Sequence, residues 1–168
     1  HMPADLRHGG ARFLFAYKGL RFAAFQTFNP WGPRGQMTGY VPRDTLASLA
    51  RLGAESPNQP TMLLCHSAVK VPGEDTSGYA TPANENQLRQ VIHRAGNVVG
   101  VLCGHMHRWQ AGEVDGIFQA VAPGFCRTTQ APRFAFVIWS VYDDRIVGRV
   151  HHLTDDDTIR PADLPAVS

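Results

Sequence analysis

Apolar positions fall in short runs parted by stretches rich in Gly and Pro, and their spacing changes along the chain. Residues 12–17 and 20–27 form two such runs on either side of Lys18-Gly19, a pattern that predicts a β-hairpin with glycine at the turn. Residues 29–40 (NPWGPRGQMTGY) predict a loop. The period then lengthens. Leu46, Leu49 and Leu52 share one side of a predicted helix, with Asp44 expected as its cap and Gly53 as its stop. Residues 61–65 (TMLLC) are almost wholly apolar after Pro60, as suits a strand covered on both faces. A second Gly/Pro-rich loop, 71–82, precedes another helix. There Asn84 and Gln87 form a capping-box pattern, Leu88, Val91, Ile92 and Ala95 follow the helical repeat, and Gly96 ends it. Residues 98–103 (VVGVLC) predict a second buried strand, and further strands are expected at 117–122, 134–142 and 145–153, the last two joined through Asp143-Asp144. The order predicts an α/β fold with a mixed β-sheet and flanking helices. Residues 1–10 are expected to be a flexible lead-in and 154–168 a loose tail.

Composition narrows the class. The chain has 168 residues, 43% of them hydrophobic and 18% charged, with a formal net charge of +2. That is long enough to bury a core, too apolar for extended disorder, and without a run that could span a bilayer. No signal-peptide pattern opens it, and three cysteines make no disulfide framework, so reduced thiols and a cytoplasmic location are expected. The 16 basic residues, all arginine except Lys18 and Lys70, are scattered and leave no nucleic-acid footprint. His1-Met2 reads as a cloning remnant, so residue 1 is expected to mark a chosen starting point.

The chemistry gathers at two equivalent places. His66 directly follows one buried strand, and Gly104-His105-Met106-His107 directly follows the next. Functional groups in open α/β sheets collect at the carboxyl ends of strands, so neighbouring parallel strands would bring these histidines together. Neutral imidazole is the commonest metal ligand, His-x-His on an extended stretch points both rings one way, and glycine allows a sharp turn beside an ion. Three convergent histidines suit Zn, Mn or Fe. His93, on a helix, and His151 and His152, on a late strand, read as ordinary structural histidines. Cys65 and Cys103 adjoin the proposed ligands, so a mixed Cys/His zinc site is conceivable, but strand alternation points Cys65 and His66 opposite ways, and buried thiols are the simpler reading. Arg108 is a candidate to meet a phosphate, although a solvated surface arginine fits equally. Trp31 and Tyr79, on the two loops, are candidates to line a substrate pocket. Trp109 either joins them or packs beneath the turn.

Gly104-His105-Met106-His107 resembles the GHxH motif of calcineurin-like metallophosphoesterases, and His66 in Leu63-Leu64-Cys65-His66-Ser67 resembles the histidine ligand that precedes it. The likeness runs over residues 11–153 and, within the four-layer αββα sandwich of that family, covers its C-terminal half. The resemblance implies hydrolysis of a small phosphate monoester or diester, of cyclic-nucleotide phosphodiesterase type among others, at two divalent metal ions (Mn, Fe or Zn). His66 and His105 would bind one ion and His107 the other. The family's DxH, GD and GNH motifs are absent, and Asp5-Leu6-Arg7-His8 has the wrong spacing. Two adjacent cations repel strongly without bridging anions, which neutral histidines cannot supply. The resemblance therefore implies partial or no metal occupancy in this chain alone. A missing N-terminal half, or another copy of the chain, is expected to complete it. The alternative is a non-catalytic remnant or subunit that associates through an exposed sheet edge.

Overall fold

The structure, a computed structural model, describes residues 13–27, 39–73, 81–124, 135–153 and 159–162. Among them, strands β1 (Phe13–Tyr17), β2 (Leu20–Ala24), β3 (Thr61–Leu64), β4 (Val98–Cys103), β5 (Gln110–Val114) and β6 (Ile117–Val121) form a six-stranded sheet in the order β1-β2-β3-β4-β6-β5. β2, β3, β4 and β6 run parallel, while β1 and β5 are antiparallel edges. Helices α1 (Arg43–Glu55) and α2 (Glu85–Ala95) cover one face. There Ala23, Phe25, Leu63 and Val101 from the strands meet Leu49, Leu88 and Ile92 from the helices in one buried cluster. A second sheet, β7 (Ala135–Val141), β8 (Ile146–Leu153) and β9 (Ile159–Ala162), is wholly antiparallel. It meets the other face of the first sheet where the Trp139 ring lies 6.3 Å from Phe118 and 6.1 Å from Trp109, so Trp109 packs between sheets. The expected mixed α/β architecture is the one observed.

The local chemistry departs from the sequence reading at five points. Gly53 does not end α1. It lies buried inside the helix, where a Cβ would sit 2.6 Å from Cα and Cβ of Ala95, so glycine permits the close crossing of α1 and α2. Asp44 is in the first turn of α1 rather than at its cap, a place where its charge still complements the helix dipole. Asn84 precedes α2 but makes no side-chain cap bond to it. Its amide instead grips the backbone of Val41, donating to the carbonyl at 2.9 Å and accepting from the N–H at 3.0 Å. β5 was not expected, although Asp115-Gly116 behind it marks the hairpin; both residues take positive φ (53° and 75°), as a tight two-residue turn requires. Within the stretch read as a loose tail, β9 pairs with β8, and Pro161 is tolerated because β9 is an edge strand.

Between the elements, Arg21 is a buried cation, 5% exposed. Its guanidinium donates to the Leu52 carbonyl near the end of α1 and to the Thr61 hydroxyl at the start of β3, both at 3.0 Å.

Candidate metal centre

β3 and β4 are parallel neighbours in register from Met62↔Gly100 to Leu64↔Leu102, so the chain leaves both strands side by side. The Cys65 N–H donates to the Leu102 carbonyl and the Gly104 N–H to the His66 carbonyl, which ties the two histidine turns together. As a result, Nε2 of His66 lies 3.1 Å from Nδ1 of His105, and the rings meet edge to face. Partial shelter from water lowers the His66 pKa below the ordinary histidine value, and repulsion from His105 and His107 adds to this. His66 is therefore held in the neutral form that can donate a lone pair.

His105 and His107 do not lie on an extended stretch. Both take left-handed backbone conformations, φ 70° and 52°, while Gly104 does not. Such conformations cost roughly 1–3 kcal/mol in an ordinary side chain and tend to mark functional turns. The glycine that His107 requires is a distant one. A Cβ on the buried Gly124 would lie 3.0 Å from Cβ and Cγ of His107, so the histidine packs where only glycine leaves room.

Other residues around the turns carried no pattern in the sequence. Thr27 is fully buried, its hydroxyl accepts from the Ser67 N–H at 2.8 Å, and its carbonyl accepts from the Tyr40 N–H at 2.7 Å. It thus fixes the residue that follows His66. Gly39 packs against the same point, where a Cβ would come within 2.8 Å of the Thr27 carbonyl oxygen. Nothing in the sequence marks Thr27 or Gly39 as belonging to a site, so tertiary contact alone identifies them.

The cysteines belong to an apolar cluster. Cys65 and Cys103 pack with Ala68, Val71 and Val121, and their thiols donate to the carbonyls of Ser67 (3.2 Å) and Ala120 (3.3 Å). Burial pushes the Cys103 thiol up to about 12 and, with Cys103 beside it, Cys65 well above its ordinary value. Neither is poised as a thiolate ligand, which disfavours the mixed Cys/His site.

The fit to metal is partial. Two nitrogens ~2.1 Å from one ion would lie about 3.0–3.4 Å apart, and the His66–His105 pair falls in that range. Among the described residues, however, no group of three or more His, Cys, Asp or Glu side chains is close enough to enclose an ion, so the three histidines do not converge on one point. Asp115 sits at the opposite end of the sheet, where it accepts from Nε of Arg89 at 2.7 Å. His93 lies 4.0 Å from the same carboxylate, and His151 stacks on Phe136. Arg108, half-buried, directly follows His107. Trp31 and Tyr79 lie outside the described residues, as does Cys126.

No protein-family profile and no curated protein sequence matches the chain. Among solved structures, a dimetal phosphatase from Danio rerio superposes with a TM-score of 0.68 at 13% identity, over 84% of this chain and 57% of that one. The chain has the metallophosphoesterase fold. TT1561 of Thermus thermophilus matches with a TM-score of 0.49 at 12% identity, over 81% of this chain and 56% of that one. A Vps29 variant from Entamoeba histolytica matches with a TM-score of 0.37 at 13% identity, over 85% of this chain and 98% of that one. The chain thus spans little more than half the length of the first two structures. Among the described residues, no helix of this metallophosphoesterase-fold chain is long and apolar enough to cross a membrane.

Proposed function

We propose that the chain supplies the histidine half of a dinuclear phosphoesterase centre, with carboxylate ligands coming from polypeptide outside these 168 residues. The observation that carries this reading is the His66–His105 pair, 3.1 Å apart at adjacent parallel strand ends, followed by two left-handed histidines, in a dimetal-phosphatase fold. His66 and His105 would hold one divalent ion (Mn, Fe or Zn), and His107 the other. Bound ions of this kind neutralise phosphate oxygens and lower the pKa of bound water. The chain's own share is orientation. Thr27 holds the turn after His66 and Gly124 makes room for His107; Arg108, next in the chain to His107, is assigned to meet a phosphate oxygen of a small phosphate ester. Trp31 and Tyr79 are assigned to the approach of the substrate. The compartment we assign is the cytoplasm, where Cys65 and Cys103 stay reduced.

A second reading, a non-catalytic association subunit, is favoured by one observation: no carboxylate among the described residues joins the histidine pair.

The test compares the protein made from its natural gene with His105→Ala, using Mn-dependent hydrolysis of bis(p-nitrophenyl) phosphate. Loss of at least a hundredfold in turnover is expected. Unchanged turnover in the variant would overturn the assignment, and no turnover in either protein, with less than one metal per chain, would leave the association reading.

A further inference from the structure

Residues 67–72, which leave the His66 turn, join no strand and instead run over β6 and β5. Ala68, Val69 and Val71 are almost wholly enclosed there, at 0%, 3% and 0% exposure. Backbone groups in such a segment have neither water nor a ladder to satisfy them, and an unmet buried group is costly. Two side-chain amides meet the need. The Lys70 N–H donates to Oε1 of Gln119 at 3.2 Å, and Nε2 of Gln110 donates to the Pro72 carbonyl. Gly112 completes the seat, since a Cβ there would lie 2.9 Å from Cβ of Pro72. Register puts all three on one face: Gln119 pairs with Gly112, and Gln110 stands two residues before Gly112 on β5.

The places of these amides in the chain give them a bearing on the histidines. Gln110 opens β5 three residues after His107, and Gln119 lies on β6 five residues before Gly124, against which His107 packs. Each therefore clasps the segment leaving His66 to an element that bounds His107. The bond from the Gly104 N–H to the His66 carbonyl ties the turns at the strand ends, and the amides tie them a second time further along. Oε1 of Gln110 is enclosed and has no partner among the described residues, so this side chain carries an unmet acceptor while making its one bond. A leucine of similar size would serve packing alone without that cost.

We propose that Gln110 and Gln119 are positioning residues of the histidine centre, a pair of amide clasps that fix the spacing of His66 from His107. Those two histidines are the ones assigned to different ions. Two-ion sites that clamp one phosphate hold their ions roughly 3.5–4 Å apart, a separation that loosely held ligand turns cannot keep. The inference rests on the half-centre reading above for what the histidines hold, but ring placement is read without metal, so the two can fail separately.

The test uses the protein made from its natural gene and reads the imidazole NMR resonances of His66 and His107 before any metal is added. Gln110→Leu and Gln119→Leu keep the bulk and remove the amide. Arg89→Leu removes the ion pair with Asp115 at the far turn of the same hairpin, and so sets the effect of destabilisation alone. Expected are displaced resonances of both rings in each leucine variant at 110 and 119, and unmoved ones in Arg89→Leu. Gln119→Glu, which restores an acceptor for the Lys70 N–H, is expected to return them toward their starting positions. Co2+ affinity is expected to fall about tenfold in Gln110→Leu and Gln119→Leu. Should the buried Gln119→Leu fail to fold, Gln110→Leu decides alone. Unmoved His66 and His107 resonances with only a lowered melting temperature overturn the proposal and leave two structural glutamines. Equal displacement in Arg89→Leu overturns it too. Absence of Co2+ binding by the unsubstituted protein counts against the half-centre reading, while the imidazole resonances still decide this one.

Discussion

Nε2 of His66 and Nδ1 of His105 lie 3.1 Å apart although 39 residues separate them in the chain. Two parallel strands in register and two backbone bonds, from the Cys65 N–H to the Leu102 carbonyl and from the Gly104 N–H to the His66 carbonyl, bring them together. Losing either ring leaves one imidazole where two are needed. Replacing His66 or His105 with Ala is expected to weaken binding of Co2+, read from its visible spectrum, by at least tenfold. Replacing His93, beside Asp115 at the far end of the sheet, is expected to leave it unchanged.

Gly124→Ala tests how His107 is placed. The added methyl meets the His107 side chain at 3.0 Å, inside normal contact, so either the histidine or the 124 backbone shifts. A fall of roughly 1–3 kcal/mol in stability by denaturant titration is expected. A displaced His107 ring resonance by NMR is expected as well, and His107→Ala should remove most of the penalty.

Gly53→Ala sets two effects against each other. Alanine improves helix propensity by about 1 kcal/mol. The new methyl would also lie 2.6 Å from Ala95, in the backbone-to-backbone crossing of two helices, and overpacking of that kind costs roughly 1–3 kcal/mol. Because helix backbone cannot swing aside as a side-chain tip can, the clash is expected to win. A lowered thermal midpoint would show it, and Ala95→Gly in the same chain should restore part of the loss.

The thiols set an alkaline limit. With Cys103 held at about 12 and Cys65 also raised in the folded state, the unfolded chain loses these protons first, near pH 8.5–9. Folding stability is therefore full below that value and falls as pH rises toward 12, by up to about 1.4 kcal/mol per unit for Cys103 alone. Denaturant titrations at pH 8, 9 and 10 should show the decline, and Cys103→Ala should flatten it. Alkylation at pH 8, mapped by peptide, should be at least a hundredfold slower at Cys103 than in the unfolded chain.

The arrangement of strands and helices was legible because periodicity reports burial, and burial decides it. Val98–Cys103 and the hairpin through Lys18-Gly19 read directly, and so did the meeting of His66 and His105 once two neighbouring parallel strands were inferred. What escaped the sequence was whatever depends on a contact from far along the chain. Gly53 looks like a helix stop until Ala95 is seen against it, and Asn84 looks like a cap until Val41 takes its amide. Gly124 and Thr27 acquire meaning only from His107 and Ser67. β5 is the exception, since Asp115-Gly116 signalled a hairpin and the polar, glycine-containing run before it concealed the strand.

Arg21 carries one more consequence. Its guanidinium reaches from β2 to the carbonyl of Leu52 and to Thr61, and it is 5% exposed. Were the last turns of α1 to fray alone, the cation would lose an acceptor while staying enclosed by the strands, a loss costing about 1–3 kcal/mol or more. Helix end and parallel strands are thus joined into one cooperative unit, and amide exchange should open them together rather than from the helix inward.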